Sequence, residues 1–386
     1  MTPDRTVLFI HGIGEIGGAE RELLIYTEHL PSAGYVPMVV CPDGGPFRAE
    51  LHRRGISTLG AAFPPWRKLA GIWKRFPSIW ALRALLEEVK PALVHVNEFW
   101  WVPQTLRALS PRLRDRTPVV AHFRQDLPVE KVRQYELVHV DEVCAVSEAV
   151  ATTLRTGGVP AERVHVVHSG LGGEWFTGSA SQARAAARRR LHLSDEALVF
   201  VTVANLFERK GYHVAFHALA EIVRNHRPVT YFVVGEGDEA YERQLRQLTT
   251  ALALADTIQF VGFQSDIRVY LDAADVYLQP ALMEGFGIAV LEAMACGCAV
   301  VASRTGGIPD MVVEGETGVL VPPGQVEDLA RAITCLAGDA QRRRAMGEAG
   351  RRRAMAHFSV ERMMTQVTEV YRVAGERRAA TEGVRR

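Results

Sequence analysis

Pro280-Ala-Leu-Met-Glu-Gly-Phe-Gly-Ile-Ala-Val-Leu-Glu-Ala-Met-Ala-Cys-Gly297 starts where the apolar run Val276–Gln279 ends. A short apolar run, a glycine-bearing loop and an apolar helix in succession are the repeating unit of a parallel sheet covered on both faces. Gly285 and Gly287 leave the start of the helix Ile288–Ala295 open, so its unpaired backbone N–H groups can meet phosphate oxygens. Glu284 lies in the loop and Glu292 inside the helix, with seven residues between them. Glu292 sits among Ile288, Val290, Leu291, Ala293 and Met294, and an acid in so apolar a stretch needs a partner. The competing reading is a solvated pair of acids on one helix face.

The same grammar runs outward in both directions. Apolar runs at 7–10, 36–41, 92–96, 119–121, 142–146 and 164–167 predict strands, with a glycine-rich turn and a helix at 19–30 after the first. The pattern breaks between about 170 and 194, where Gly, Ser and the Arg-rich 184–190 form a loop-plus-helix stretch that reads as a linker. It restarts with strands at 198–203, 230–234, 258–261, 276–279, 299–302 and 318–321 and helices at 212–225, 240–254, 288–295 and 326–336. The expected architecture is α/β, two doubly wound Rossmann-like sheets in tandem. Its divisions are a first domain over 1–175, a linker over 176–195, a second domain over 196–356, a helix over 357–375 packing back on the first domain, and a tail over 376–386.

Composition bounds the function classes. The chain has 386 residues, 48% hydrophobic and 23% charged, which fits a soluble two-domain protein. Lys plus Arg is 45 against 44 for Asp plus Glu, so no bulk basic excess marks a nucleic-acid binder. Five cysteines without a CxxC suit reduced thiols, and no apolar stretch reaches the roughly 18 residues of a membrane span. The expected location is cytoplasmic, with peripheral contact on the inner face of the membrane as an extension.

Two further loops carry chemistry. His11-Gly-Ile-Gly-Glu-Ile-Gly-Gly18 places Gly12, Gly14 and Gly17 in a GxGxxG frame after a strand, with Asp43 a loose match to the acid such a dinucleotide fingerprint requires. A phosphate or sugar contact and a purely structural turn are the other readings of that loop. No GxSxG elbow accompanies the His-Gly pair, which sets a hydrolase aside. In the second half, Val203-Ala-Asn-Leu-Phe-Glu-Arg-Lys-Gly211 puts Arg209 and Lys210 after a strand, where two cations can neutralise a diphosphate leaving group. A solvated basic turn is the alternative.

These segments together resemble the retaining family-4 glycosyltransferases, with their GT-B fold of two Rossmann-like domains facing a central cleft and their E-x7-E signature. Gly17-Gly-Ala-Glu20, Val146-Ser147-Glu148, Lys210-Gly211, Gly262-Phe263, Gly306-Gly-Ile-Pro-Asp310, Gly315-Glu-Thr-Gly318 and Phe358-Ser359 continue the resemblance over some 360 residues. It implies that Glu284 bonds donor-sugar hydroxyls, Glu292 the nucleotide ribose, and Lys210 the departing diphosphate. Backbone N–H groups of Gly287 and Ile288 would hold the distal phosphate, Gly17 and Gly18 would let a loop close over donor and acceptor, and the backbone around Gly262-Phe263 would recognise the base. His122 matches a histidine near the donor sugar; otherwise it is structural. Many relatives carry Gly-Arg where this chain has Ala204-Asn205, so Asn205 stands in the donor loop and Arg209 substitutes as the second cation. Asp310 stands where Glu is commoner.

The resemblance implies transfer of a sugar, with retention, from a UDP- or GDP-sugar to a hydroxyl acceptor that is a glycan, a lipid-linked molecule or a small molecule. No DxD motif occurs, so no metal and no cofactor are expected. A nucleotide-sugar epimerase on the same fold, a NAD-dependent oxidoreductase and a non-catalytic sugar-nucleotide binder are the alternatives.

One local feature is left. Residues 63–80 interleave Trp66, Trp73, Phe76 and Trp80 with Arg67, Lys68, Lys74 and Arg75, the composition of a helix lying on an anionic membrane. The alternative is a solvated helix whose aromatics pack on the core or shape an acceptor pocket. Trp100 and Trp101 are candidates to stack on a sugar acceptor, and the Arg runs 342–344 and 351–353 read as exposed helix faces.

Overall fold

The computed structural model describes residues 5–64, 72–194, 196–223 and 229–385. They form two compact units: one comprises the chain up to Ser169 together with everything from Val360 onward, the other Gly170–Ser359.

In the first unit, seven described strands form one sheet: β1 (Thr6–Ile10), β2 (Val36–Cys41), β3 (Ser57–Gly60), β4 (Leu93–Val96), β5 (Val119–Phe123), β6 (Glu142–Ala145) and β7 (Val164–Val166). Their order is β3-β2-β1-β4-β5-β6-β7, and every pairing is parallel. All five residues of β1 are buried, as a strand covered on both faces requires. β3 escapes the apolar-run reading because it is short, partly exposed and at the sheet's edge. The helix Val360–Arg385 supplies Met363, Val367, Val370, Tyr371 and Ala374 to the same core as Val7, Phe9, Leu23 and Tyr26.

In the second unit, six described strands follow: β8 (Leu198–Val203), β9 (Val229–Val234), β10 (Ile258–Gly262), β11 (Val276–Gln279), β12 (Ala299–Ser303) and β13 (Gly318–Val321). The parallel order β10-β9-β8-β11-β12-β13 reverses direction between β8 and β11. At such a switch point the loops after the two central strands diverge to opposite faces and leave a crevice at their C-terminal ends.

The loop-plus-helix stretch read as a linker belongs to a compact unit. A helix, Ala180–Arg190, belongs to this second unit, and Asp275, just before β11, explains why. Its carboxylate accepts from Arg184 at 2.8 Å, from Arg188 at 2.7 Å and from the Val199 N–H at 2.9 Å. Arg188 is only 3% exposed, so this part of the Arg run is a buried clamp. The later Arg runs are likewise not plain exposed faces. Arg351 donates to the carbonyl oxygens of Ala295 and Phe176, and Arg353 to those of Met311 and Asp310. The final helix continues without interruption to Arg385, through most of the segment read as a tail.

Candidate active site

Two loops meet at the switch point of the second unit. The loop after β8 carries Asn205, Arg209 and Lys210; the loop after β11 carries Glu284. Backbone bonds lock them together: Leu282 and Met283 donate to the Arg209 carbonyl at 2.8 and 3.4 Å. Gly211 is required for this approach. Its φ is +70°, and a Cβ there would stand 1.9 Å from the Pro280 carbonyl oxygen. Gly306 does the same on the other side, with φ +54° and a Cβ position 1.7 Å from the Glu284 carbonyl oxygen.

The side chains then converge. Lys210 Nζ lies 2.6 Å from Glu284 Oε2, with side-chain exposures of 13% and 11%. An ion pair so far from water gives little net stability, because desolvating both charges offsets their attraction. Glu284 Oε2 also accepts from Gln279 Nε2 at 3.1 Å, and Oε1 from the Gly285 N–H at 3.2 Å. Gln279 in turn accepts from the phenol of Tyr277 at 2.8 Å. Burial pushes the Tyr277 phenol well above its ordinary pKa, with further upward pushes from Tyr212 and from the carboxylates of Glu292 and Glu284.

The remaining candidates of this unit are distributed along the same sheet edge. Asn205 and Arg209 are exposed, and the Arg209 guanidinium sits 5.9 Å from the Phe207 ring centre. Gly287, with φ +95°, caps the helix Ile288–Ala295, and Ile288 at its first position is 37% exposed. Phe263 is 60% exposed after Gly262, whose carbonyl accepts from the Gly235 N–H at 2.9 Å. The structure thus joins Lys210 with Glu284 and leaves Arg209 and Asn205 facing solvent.

The first unit holds a separate polar group at the end of β1. Glu20, in the helix Gly18–His29, accepts the Gly17 N–H at 2.8 Å, so that amide is already engaged. His11 Nε2 lies 2.9 Å from the other Glu20 oxygen, and His11 Nδ1 lies 3.1 Å from Asn97 Nδ2. Gly12 is needed because a Cβ there would stand 2.3 Å from the Trp101 ring. Trp101, at 8% exposed, is core, whereas Trp100 donates through Nε1 to Glu98 at 2.9 Å. Burial raises the Glu98 carboxyl above its usual range.

His122 requires a correction. Expected beside a donor sugar, it is 1% exposed, stacked on Tyr26 at 6.1 Å and beside His95 at 5.7 Å. Among the described residues neither of its ring nitrogens has a hydrogen-bond partner, and burial holds its pKa well below the ordinary value. The expected strand ended at Ala121, whereas β5 runs through His122 to Phe123 and buries all five residues. The residue after the next, Arg124, is the one that pairs with an acid, donating to Glu22 Oε1 at 2.8 and 3.1 Å. Burial would raise Glu22, but the Arg124 charge and bonds from Ser169 and Tyr26 outweigh it and hold the carboxyl below its usual range.

Sequence reasoning passed over Gln279 and Tyr277. The available signal was a buried amide closing an otherwise apolar strand immediately before Pro280.

Both halves of the chain are similar to known proteins. Residues 183–353 match the family model for glycosyl transferases group 1, and residues 16–171 match glycosyltransferase family 4. The amylovoran biosynthesis glycosyltransferase AmsK of Erwinia amylovora is 35% identical over 188 residues, 47% of this chain and 43% of that protein. A GDP-mannose-dependent monoacylated alpha-(1-6)-phosphatidylinositol monomannoside mannosyltransferase of Corynebacterium glutamicum is 32% identical over 212 residues, 52% of this chain and 54% of that protein. The aligned regions thus span about half the length of these relatives. The structure of HepE from Anabaena in complex with UDP and glucose superposes with a TM-score of 0.80 at 26% identity, covering 94% of this chain and 98% of that one. The two halves of the chain thus match two glycosyltransferase family models in tandem, and its two-sheet architecture is the GT-B fold.

Proposed function

We propose that the chain transfers a sugar, with retention of anomeric configuration and without a divalent metal, from a nucleotide-diphosphate sugar to a hydroxyl acceptor. The observation that carries this reading is Lys210 Nζ held 2.6 Å from Glu284 at the C-terminal edge of β8 and β11. A bound diphosphate offers Lys210 more negative charge than one carboxylate does. Lys210 then turns to the phosphates and neutralises the leaving group, which is the work a metal would otherwise do. Glu284, released from the ammonium, accepts hydrogen bonds from sugar hydroxyls. Arg209 serves as the second cation from its exposed position, and the Gly287 and Ile288 amides take the distal phosphate. Glu292 holds the ribose, Phe263 flanks the base and Asn205 lines the donor loop. In the chemical step the acceptor oxygen bonds to the anomeric carbon as its bond to the diphosphate oxygen breaks, and the acceptor proton passes to the departing phosphate. The UDP bound to HepE and the GDP-mannose dependence of the corynebacterial relative support UDP- or GDP-sugars as donors.

Binding of UDP-glucose and GDP-mannose, followed by calorimetry and turnover with candidate acceptors, tests this. Lys210→Ala is expected to lower kcat/KM by about 100- to 1,000-fold. Binding of NAD that ignores Lys210 and Glu284 would overturn the reading in favour of an oxidoreductase. Isomerisation of the donor sugar without any acceptor would favour the epimerase.

A lipid-linked acceptor at an anionic membrane is the second element of the proposal. In the helix Ile72–Val89, Trp73, Phe76 and Trp80 are 84%, 64% and 63% exposed, so these three do not pack on the core. Between residues 63 and 86 the sequence carries Arg67, Lys68, Lys74, Arg75 and Arg83 and no acid, which suits anionic headgroups. Residues 65–71, with Trp66, Arg67 and Lys68, lie outside the described residues. The mannosyltransferase relative, named for a phosphatidylinositol mannoside, points the same way. Flotation with phosphatidylglycerol vesicles should carry the protein upward, and Trp73→Ala with Trp80→Ala should abolish it; an unmodified protein that stays at the bottom ends this reading.

A further inference from the structure

Glu284 has two side-chain donors on the same oxygen, and only Lys210 has a role in the reading above. The other, Gln279, closes β11 and is 2% exposed. Its partner Tyr277 is fully buried two residues earlier and therefore on the same side of the strand. The phenol oxygen is 2.8 Å from Gln279 Oε1 and 3.3 Å from the Val203 carbonyl, so its one proton goes to the nearer acceptor, Gln279. The Val203 N–H reaches the same phenol oxygen at 3.4 Å from behind. The Glu284 carboxylate only accepts, so the amide turns its NH2 toward Oε2 and its carbonyl toward the phenol, whose proton holds it there.

We propose that Gln279, oriented by Tyr277, is the positioning residue that keeps Glu284 aimed at the donor sugar when Lys210 transfers from the carboxylate to the diphosphate. The inference rests on the transferase reading. Once the ammonium leaves, the Gly285 N–H at 3.2 Å and the Gln279 amide at 3.1 Å still fix the carboxylate. An amide suits the task because it donates without charge. A lysine at 279 would neutralise Glu284 permanently and compete with Lys210 for phosphate, and a glutamate would repel it. The consequence is selective. Gln279 acts on recognition of the sugar, while the nucleotide diphosphate alone is bound through groups it does not touch.

Titration calorimetry separates these possibilities, with UDP-glucose, GDP-mannose, ADP-glucose and dTDP-glucose each compared with its sugar-free diphosphate. Gln279→Met keeps the side-chain length and removes the donor. It should weaken the sugar nucleotide by about tenfold and the free diphosphate by less than about twofold. Tyr277→Phe, one bond further back, should show the same selectivity with a smaller loss. Lys210→Ala should weaken both ligands together. Equal losses for sugar nucleotide and diphosphate in both variants would mean a merely structural role and overturn the proposal. So would unchanged affinity. An unmodified protein that binds none of the nucleotides overturns the transferase reading itself, and this proposal with it.

Discussion

Lys210 and Glu284 were legible as single residues because a charge in a glycine-bearing loop after an apolar strand has few structural uses. Gln279 was not, since a polar residue ending a strand reads first as a boundary. Gly211 gives this scale its sharpest prediction. Its backbone lies in the left-handed region and its missing Cβ makes room for Pro280, whereas Gly315, at φ +77°, has nothing within 4 Å. Gly315→Ala should therefore cost about 1 kcal/mol from backbone strain alone, and Gly211→Ala about 3 kcal/mol or more, because the loop must also move. Urea denaturation of both variants checks the difference. Similar losses would show that the two loops do not need their close approach. Since the loop carries Lys210, Gly211→Ala should also reduce donor affinity.

At the scale of elements, the helix Ala180–Arg190 shows where composition misleads. The Gly-, Ser- and Arg-rich stretch reads as a loop-plus-helix linker, but Asp275, just before β11, ties two of its arginines to the second unit. Asp275 keeps Arg184 when Arg188 is removed, but the carbonyls of Ala273, Ser194 and Ala197 lose its buried donors, so Arg188→Ala should destabilise the protein by about 3 kcal/mol. Arg190, 66% exposed and paired with Asp266 at 3.2 Å, should cost less than about 0.5 kcal/mol on the same change. Guanidinium unfolding monitored by circular dichroism distinguishes the two, and equal effects would remove the clamp from the account. The strand β3 was missed for the opposite reason: an edge strand with few buried residues lacks the apolar run that announces the others.

For the whole molecule, the first unit is discontinuous in sequence, and its core closes only when the helix Val360–Arg385 contributes Tyr371. The Tyr371 hydroxyl lies 2.6 Å from His95 Nδ1, beside His122. Ending the chain at residue 359 should leave this core open and make the first unit susceptible to limited proteolysis. Burial holds both histidines well below their ordinary value of 6.5 in the folded protein. Their neutral forms are therefore favoured by folding. That stability is present in full above pH 6.5 and is lost as pH falls toward the lowered folded values, by up to about 1.4 kcal/mol per pH unit for each histidine. Thermal unfolding between pH 7.5 and 5 should show the fall, and His122→Phe should remove about half of it. A flat profile in the unmodified protein would contradict the burial of these rings.

The sequence by itself determined the strand–loop–helix grammar, the two tandem sheets and the charged loops of the second half. Apolar runs, glycine positions and loop charges are local quantities that neighbouring residues suffice to express. Only the tertiary structure decided that Lys210 meets Glu284 across 74 positions, that Gln279 shares the carboxylate, and that His122 turns into the core. Those outcomes depend on which strands lie side by side. β8 pairs with β11, and the first sheet is covered by a helix from the far end of the chain, so the partners are set by long-range packing that no local pattern records.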